Sequence, residues 1–246
     1  MKIGVAQIDL TNDVSKNTEK IVGFIDRAEE QGIEIIAFPE TALTGYIYDD
    51  FLSVAQEKID AAVTDIRNRI DKTDLCVIAG TPYRCKDVMY NGAVIITGDG
   101  ATSLCYKREL TSYEHRYFKA GRDGMVFTHN GGTFGVMICR DQNNPEIAMD
   151  LKKRGAGVIF ICSAHYYALS ESKLKLEKNV ALPVARAYEN NVYVCKANTV
   201  GTSMGRISFG NSLIVHPNGI VIRRGNDRTE ELLFCEAELD RENEQW

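Results

Sequence analysis

No stretch of this chain stays apolar for the ~20 residues that a membrane-spanning helix requires, and no block of Lys and Arg stands out along its 246 residues. The first absence argues against a helical membrane span. The second, with a net charge of −5, argues against nucleic acid or a membrane surface as a partner. There is no Cys-x-x-Cys pair and no Cys/His cluster at zinc spacing, so no metal site is expected. The seven cysteines are odd in number and scattered, the usage of a reducing cytoplasm, which is the expected location. Met1 runs straight into the strand-like Lys2-Ile3-Gly4-Val5-Ala6, so a signal peptide is not expected. No low-complexity linker and no fixed-period repeat interrupts the chain, and one domain over 1–246 is expected.

What is present is a core. Hydrophobic residues make up 44% of the chain, enough to bury a large interior. Apolar, β-rich runs predict strands over 2–8, 33–38, 75–81, 91–97, 102–106, 125–129, 133–138, 157–162, 192–197, 212–216, 220–223 and 232–237. Helices are predicted over 15–31, 52–70, 145–154 and 172–190. In the first of these, Ile21, Phe24, Ile25 and Ala28 recur at helical spacing, and Gly32 suits the position just past the end. Pro183 is expected to kink or divide the last helix. Alternating β and α segments with several short hairpin strands predict an α/β fold, with helices packed on two stacked sheets.

Three chemically able side chains stand where apolar runs stop. Cys139 follows the run 134–138 and precedes Asn144, a plausible helix N-cap, with Pro145 and Glu146 in the first turn. A thiol there is presented on a sharp turn beside free backbone N–H groups, and the following helix dipole favours a thiolate. Glu40 ends Ile35-Ile36-Ala37-Phe38-Pro39, and Lys107 follows Thr102-Ser103-Leu104-Cys105-Tyr106. Taken singly, the Glu and the Lys read as solvated turn residues, and a Cys reads as a small buried hydrophobe. Strands sharing one direction would bring all three to one sheet edge, where α/β folds place their chemistry. Cys76, Cys105, Cys162, Cys195 and Cys235 lie in apolar runs and read as core; Cys85 lies in a polar loop.

At these positions the chain resembles the nitrilase superfamily of carbon–nitrogen hydrolases. The matching pieces stand in order: Gly4-Val5-Ala6-Gln7; Phe38-Pro39-Glu40 with Gly45-Tyr46; Tyr106-Lys107 with Leu110, Glu114, Phe118 and Gly121; Ile138-Cys139-Arg140-Asp141 with Pro145-Glu146. Arg186-Ala187-Tyr188-Glu189-Asn190, Asn198 and Gly210-Asn211-Ser212 continue them. The resemblance implies a four-layer α-β-β-α sandwich and a Cys139 nucleophile. It implies Glu40 as general base, Lys107 as oxyanion stabiliser and Glu114 as a group that holds Lys107 or the substrate. It also implies no cofactor, and a homodimer or larger homo-oligomer. Met149, with Glu146-Ile147-Ala148, and Leu182-Pro183-Val184 are expected to offer apolar surface for such an assembly.

Departures fall around the nucleophile. Arg140 follows it where an aromatic is common, Asn143-Asn144 replace Arg-Phe, and Glu109 replaces a His. Arg140, His165, Tyr166 and Tyr46 are the expected substrate-binding residues. Arg140 is read either as a partner for a substrate carboxylate or as one half of a salt bridge, and His165 either as a pocket imidazole or as a structural one. The expected substrate is a small polar amide or N-carbamoyl compound carrying a carboxylate. Nitrile hydrolysis and a non-catalytic binding or scaffold role are the alternatives.

Overall fold

The computed structural model describes residues 1–46 and 53–239; the expected start of the second helix at residue 52 lies outside them. The first half runs β1 (Lys2–Gln7), α1 (Val14–Glu30), β2 (Ile35–Ala37), α2 (Gln56–Arg69), β3 (Cys76–Cys85), β4 (Val88–Thr97) and β5 (Thr102–Tyr106). The second runs β6 (Met125–His129), β7 (Gly132–Ile138), α3 (Pro145–Lys153), β8 (Val158–Cys162), α4 (Leu169–Asn190) and β9 (Tyr193–Ala197). It continues through β10 (Val200–Ser203), β11 (Arg206–Phe209), β12 (Leu213–Val215), β13 (Val221–Arg224) and β14 (Glu231–Glu236).

Local chemistry sets these boundaries. The Asp13 side chain caps α1 by accepting from Ser15 and Lys16 N–H groups. The stripe Ile21, Phe24, Ile25 and Ala28 is buried, and the chain leaves the helix through Gly32 at φ +66°. Asn144 caps α3 through a bond from Glu146 N–H at 3.0 Å, with Pro145 in its first turn, as expected.

Two six-stranded sheets result, ordered β14-β1-β2-β3-β4-β5 and β13-β12-β9-β8-β7-β6. Their facing sides share one core, in which Ile3, Val5, Ile35 and Ile78 meet Phe134, Ile138, Phe160 and Cys195. The outer face of the first sheet packs on α1 and α2 through residues such as Ile21, Phe24, Ile59 and Ile66. The outer face of the second packs on α3 and α4 through Ile147, Leu151 and Ala187. This is the α-β-β-α sandwich expected from the resemblance. In each sheet three neighbouring strands are parallel, β1-β2-β3 and β7-β8-β9, so their carboxyl ends form an edge open to chemistry. The two edges touch: Glu40 N–H donates to Ser163 O at 3.3 Å, joining the exits of β2 and β8.

Two expectations are corrected. Pro183 does not divide the last helix; α4 runs unbroken across it for 22 residues. Proline has no N–H for the carbonyl four residues back, which is that of Asn179, and the buried Lys196 Nζ donates to that carbonyl at 2.7 Å instead. The hairpin β10–β11 lies where no strand was predicted. Its two-residue turn uses Met204 at φ +48° and Gly205 at φ +73°, the paired left-handed geometry that suits strand twist.

Candidate active site

Cys139 takes φ +46° at the end of β7, a left-handed conformation that costs a non-glycine residue on the order of 1–3 kcal/mol. The surroundings hold it there. Asp141, two residues on, accepts from Ile138 N–H at 2.9 Å with one oxygen. With the other it accepts from Arg108 and Glu109 N–H at 3.0 and 2.7 Å. One buried carboxylate thereby staples the thiol turn to the loop that follows Lys107. Burial pushes the Asp141 carboxyl up to about 6 against the pull of those N–H bonds.

Lys107 is 1% exposed and lies between two carboxylates, Glu40 Oε1 at 2.6 Å and Glu114 Oε1 at 2.7 Å. Asn91, buried on β4, donates from one Nδ2 to the same two oxygens at 2.7 and 2.8 Å, and its carbonyl takes the Lys107 N–H at 2.8 Å. The other Glu114 oxygen is occupied by a capping box: Thr111 N–H donates to Oε2, and Glu114 N–H donates to Thr111 Oγ1. The other Glu40 oxygen accepts from Ala164 N–H at 3.2 Å. Lys107 keeps one N–H beyond its two carboxylate bonds.

The electrostatics separate the two carboxyls. Burial raises Glu40 above its ordinary value, with Lys107 opposing and Glu114 adding to the rise. Burial also acts on Glu114, but Lys107 and the hydrogen bonds outweigh it and hold it low. The same lysine thus faces two carboxyls shifted in opposite directions, Glu40 up and Glu114 down. The Cys139 thiol is pushed up by burial first and by the Glu40 charge second, with Lys107 opposing. This corrects the expectation of a thiolate favoured by a helix dipole: a 3-10 turn, Cys139–Asn143, separates the sulfur from the start of α3.

A cavity of about 560 Å³ opens above this group. Cys139, Lys107, Tyr46, Arg140, His165 and Tyr166 all line it, so the structure brings together every expected site residue except Glu40 and Glu114, which lie buried behind the wall. Tyr46 remains a phenol, held well above its ordinary value by burial and by the charge of Glu40. His165 follows β8, whose Cys162 is in register with Ile138. Burial and the charges of Lys196, Lys107 and Lys178 keep it neutral. Arg140 is exposed and has no carboxylate in ion-pair range among the described residues.

Sequence reasoning missed Asn91, Asp141, Lys175, Lys178 and Arg206. Asn91 and Asp141 anchor the reacting groups, and the other three are pocket cations. Two of the departures noted above meet in space: Asn144 Nδ2 donates to Glu109 Oε1 at 3.1 Å, so each supplies the other's partner.

Relatives place this arrangement. The fold superposes on an amidase from Nesterenkonia sp. AN1 with a TM-score of 0.86 at 23% identity, covering 98% of this chain and 94% of that one; acrylamide is added at that protein's active-site cysteine. A nitrilase of Pyrococcus abyssi is 31% identical over 235 residues, 91% of this chain and 84% of its own length. A glutamine-dependent NAD(+) synthetase of Xylella fastidiosa is also 31% identical, over 90% of this chain but only 41% of its own length. Residues 2–245 match the carbon-nitrogen hydrolase family, and the chain belongs to that family within the nitrilase superfamily.

Proposed function

We propose that this protein hydrolyses a non-peptide amide or N-carbamoyl bond through a thioester on Cys139. The observation that carries the reading is the buried Glu40–Lys107–Glu114 group at 2.6 and 2.7 Å, with Lys107 and the Cys139 thiol lining one cavity beside it. Cys139 Sγ attacks the carbonyl carbon while Glu40 takes the thiol proton. The remaining Lys107 N–H and the Arg140 backbone N–H donate to the oxyanion, where one such donor is worth ~3 kcal/mol of barrier. Glu40 returns the proton to the leaving nitrogen, the C–N bond breaks, and ammonia or an amine departs. Water then attacks the thioester with Glu40 as base, the C–S bond breaks, and the thiol is restored. Glu114, held ionised, keeps Lys107 charged and in place.

The Pyrococcus abyssi relative is a nitrilase, so direct hydrolysis of a nitrile is the second reading. A panel of ω-amides, N-carbamoyl amino acids, N-carbamoyl amines and nitriles, assayed for ammonia release, separates the two. The expected outcome is turnover of amides or N-carbamoyl compounds, abolished in Cys139→Ala and reduced at least ~10³-fold in Glu40→Gln. An unchanged rate in Cys139→Ala would remove the mechanism.

A further inference from the structure

The pocket wall is charged against the sense of the whole chain. Asp and Glu outnumber Lys and Arg by 34 to 29 in the sequence, yet Lys107, Arg140, Lys175, Lys178 and Arg206 line the cavity and, among the described residues, no Asp or Glu does. Lys107 is matched by Glu40 and Glu114. Lys175 and Lys178 stand three residues apart on α4, a spacing at which like charges repel. Neither has a carboxylate in ion-pair range among the described residues, and Glu177 between them does not line the cavity.

The geometry also says where these charges lie. Next to the thiol turn, Gln142 reaches His165 at 3.4 Å. The His165 ring stacks on Tyr167 at 5.9 Å. Beyond that, Lys175 lies over the Tyr167 ring at 6.0 Å, and Tyr167 bridges to Ile207, the neighbour of Arg206. Asn179, one turn past Lys175, donates to the Tyr167 hydroxyl at 2.8 Å. The cations of α4 and the hairpin thus gather around Tyr167, with His165 and Gln142 between them and Cys139. His165 Nδ1 is buried without a partner on this wall.

We infer that the substrate carries an anionic group, a carboxylate or a phosphate, at the end remote from its scissile amide, held by Lys175 and Lys178 of α4 with Arg206 of the β10–β11 hairpin. This rests on the amide-hydrolase reading and moves the anchor away from Arg140, beside the nucleophile. A neutral substrate would leave the Lys175 and Lys178 charges uncompensated, whereas an anion pairs with them and is steered inward by their field.

The test is ammonia release by the full-length protein from amides of equal length ending in methyl, carboxylate, phosphonate or ammonium. Expected is a kcat/KM for an anionic member at least ~10-fold above the methyl one, with ammonium poorest; the better of the two anionic arms identifies the anion. The preference should shrink between 0.1 M and 1 M salt, as the screening length falls from about 10 Å to about 3 Å. In Lys175→Gln/Lys178→Gln the anionic-to-neutral ratio should fall ~10-fold, mostly through KM. A ratio near one in the unmodified protein, or a ratio unmoved in the double variant, overturns the inference while leaving the amide reading standing. If no amide is turned over, that reading falls. Calorimetric binding of the same amides to Cys139→Ala then decides: tighter binding of an anionic member supports the cation site, and equal binding overturns it.

Discussion

Lys196 shows how far a single residue can depart from its expected place. A lysine inside the run 192–197 would be exposed at one strand face, yet it is fully buried against the helix layer, bonded to the Asn179 carbonyl. Burial lowers its pKa to about 7, with nearby Cys139 opposing and Arg224 adding to the fall. An unfolded lysine titrates near 10.4. Between pH ~7 and ~10 the unfolded chain therefore holds a proton that the folded chain has lost, and stability rises with pH through that window. Complete titration across it is worth on the order of 4 kcal/mol. The gap in unfolding free energy between the natural protein and Lys196→Met should move in favour of the natural protein from pH 7 to pH 10 by denaturant titration. A flat gap would show that Lys196 titrates normally. Among the reacting groups, Glu40, Lys107 and Cys139 were legible because each ends an apolar run. Asn91 was not, because an Asn inside a strand pattern carries no sign of which side chains it meets. Glu114 had a signal of its own in the Thr111-x-x-Glu114 spacing of a capping box.

Among the elements, the parallel strands were readable because they are buried on both faces and so appear as apolar runs, interrupted in β9 only by Lys196. The β10–β11 hairpin was hidden for the opposite reason: its strands are short and mixed in polarity, and its turn places Met rather than Asn or Asp at a positive φ. Strand β3 carries a constraint of its own. At Gly80 an added Cβ would lie 2.2 Å from Pro39 O and 2.6 Å from Glu40 Cα. Both are backbone atoms, so a side chain there must displace the turn that aims Glu40. Gly80→Ala is expected to lower kcat at least ~10-fold, since small misplacements of reacting groups are costly, and to destabilise by ~1–3 kcal/mol. Kinetics together with thermal melts check both; an unchanged kcat would show that Glu40 tolerates the shift.

For the molecule as a whole, no helix among the described residues is long and apolar enough to cross a membrane. Self-association remains a proposal, and its surface needs revision. Ile147, Ala148 and Pro183 are consumed by the protein's own core, which leaves Met149 at 43% exposure on α3. Tyr188 at 70% on α4 and Ile220 at 59% also remain open, and Gly219 lies against Tyr188. A dimer or larger species is expected by light scattering at micromolar concentration, weakened by Tyr188→Glu. A strictly monomeric mass would reject it.

Lys175 and Lys178 stand exposed on α4, an outer layer of the sandwich, and Arg206 on the β10–β11 hairpin, whereas Glu40, Lys107 and Cys139 are set at strand exits. Inheritance can treat these two parts differently. A change at position 175, 178 or 206 falls on an exposed wall of the cavity and disturbs no buried contact between the sheets. A change at position 91 disturbs the buried Glu40–Lys107–Glu114 group, and one at 141 the turn that carries Cys139. On the proposed reading, a descendant of this chain exchanges one diet for another in a few exposed substitutions, while its chemistry stays as it was.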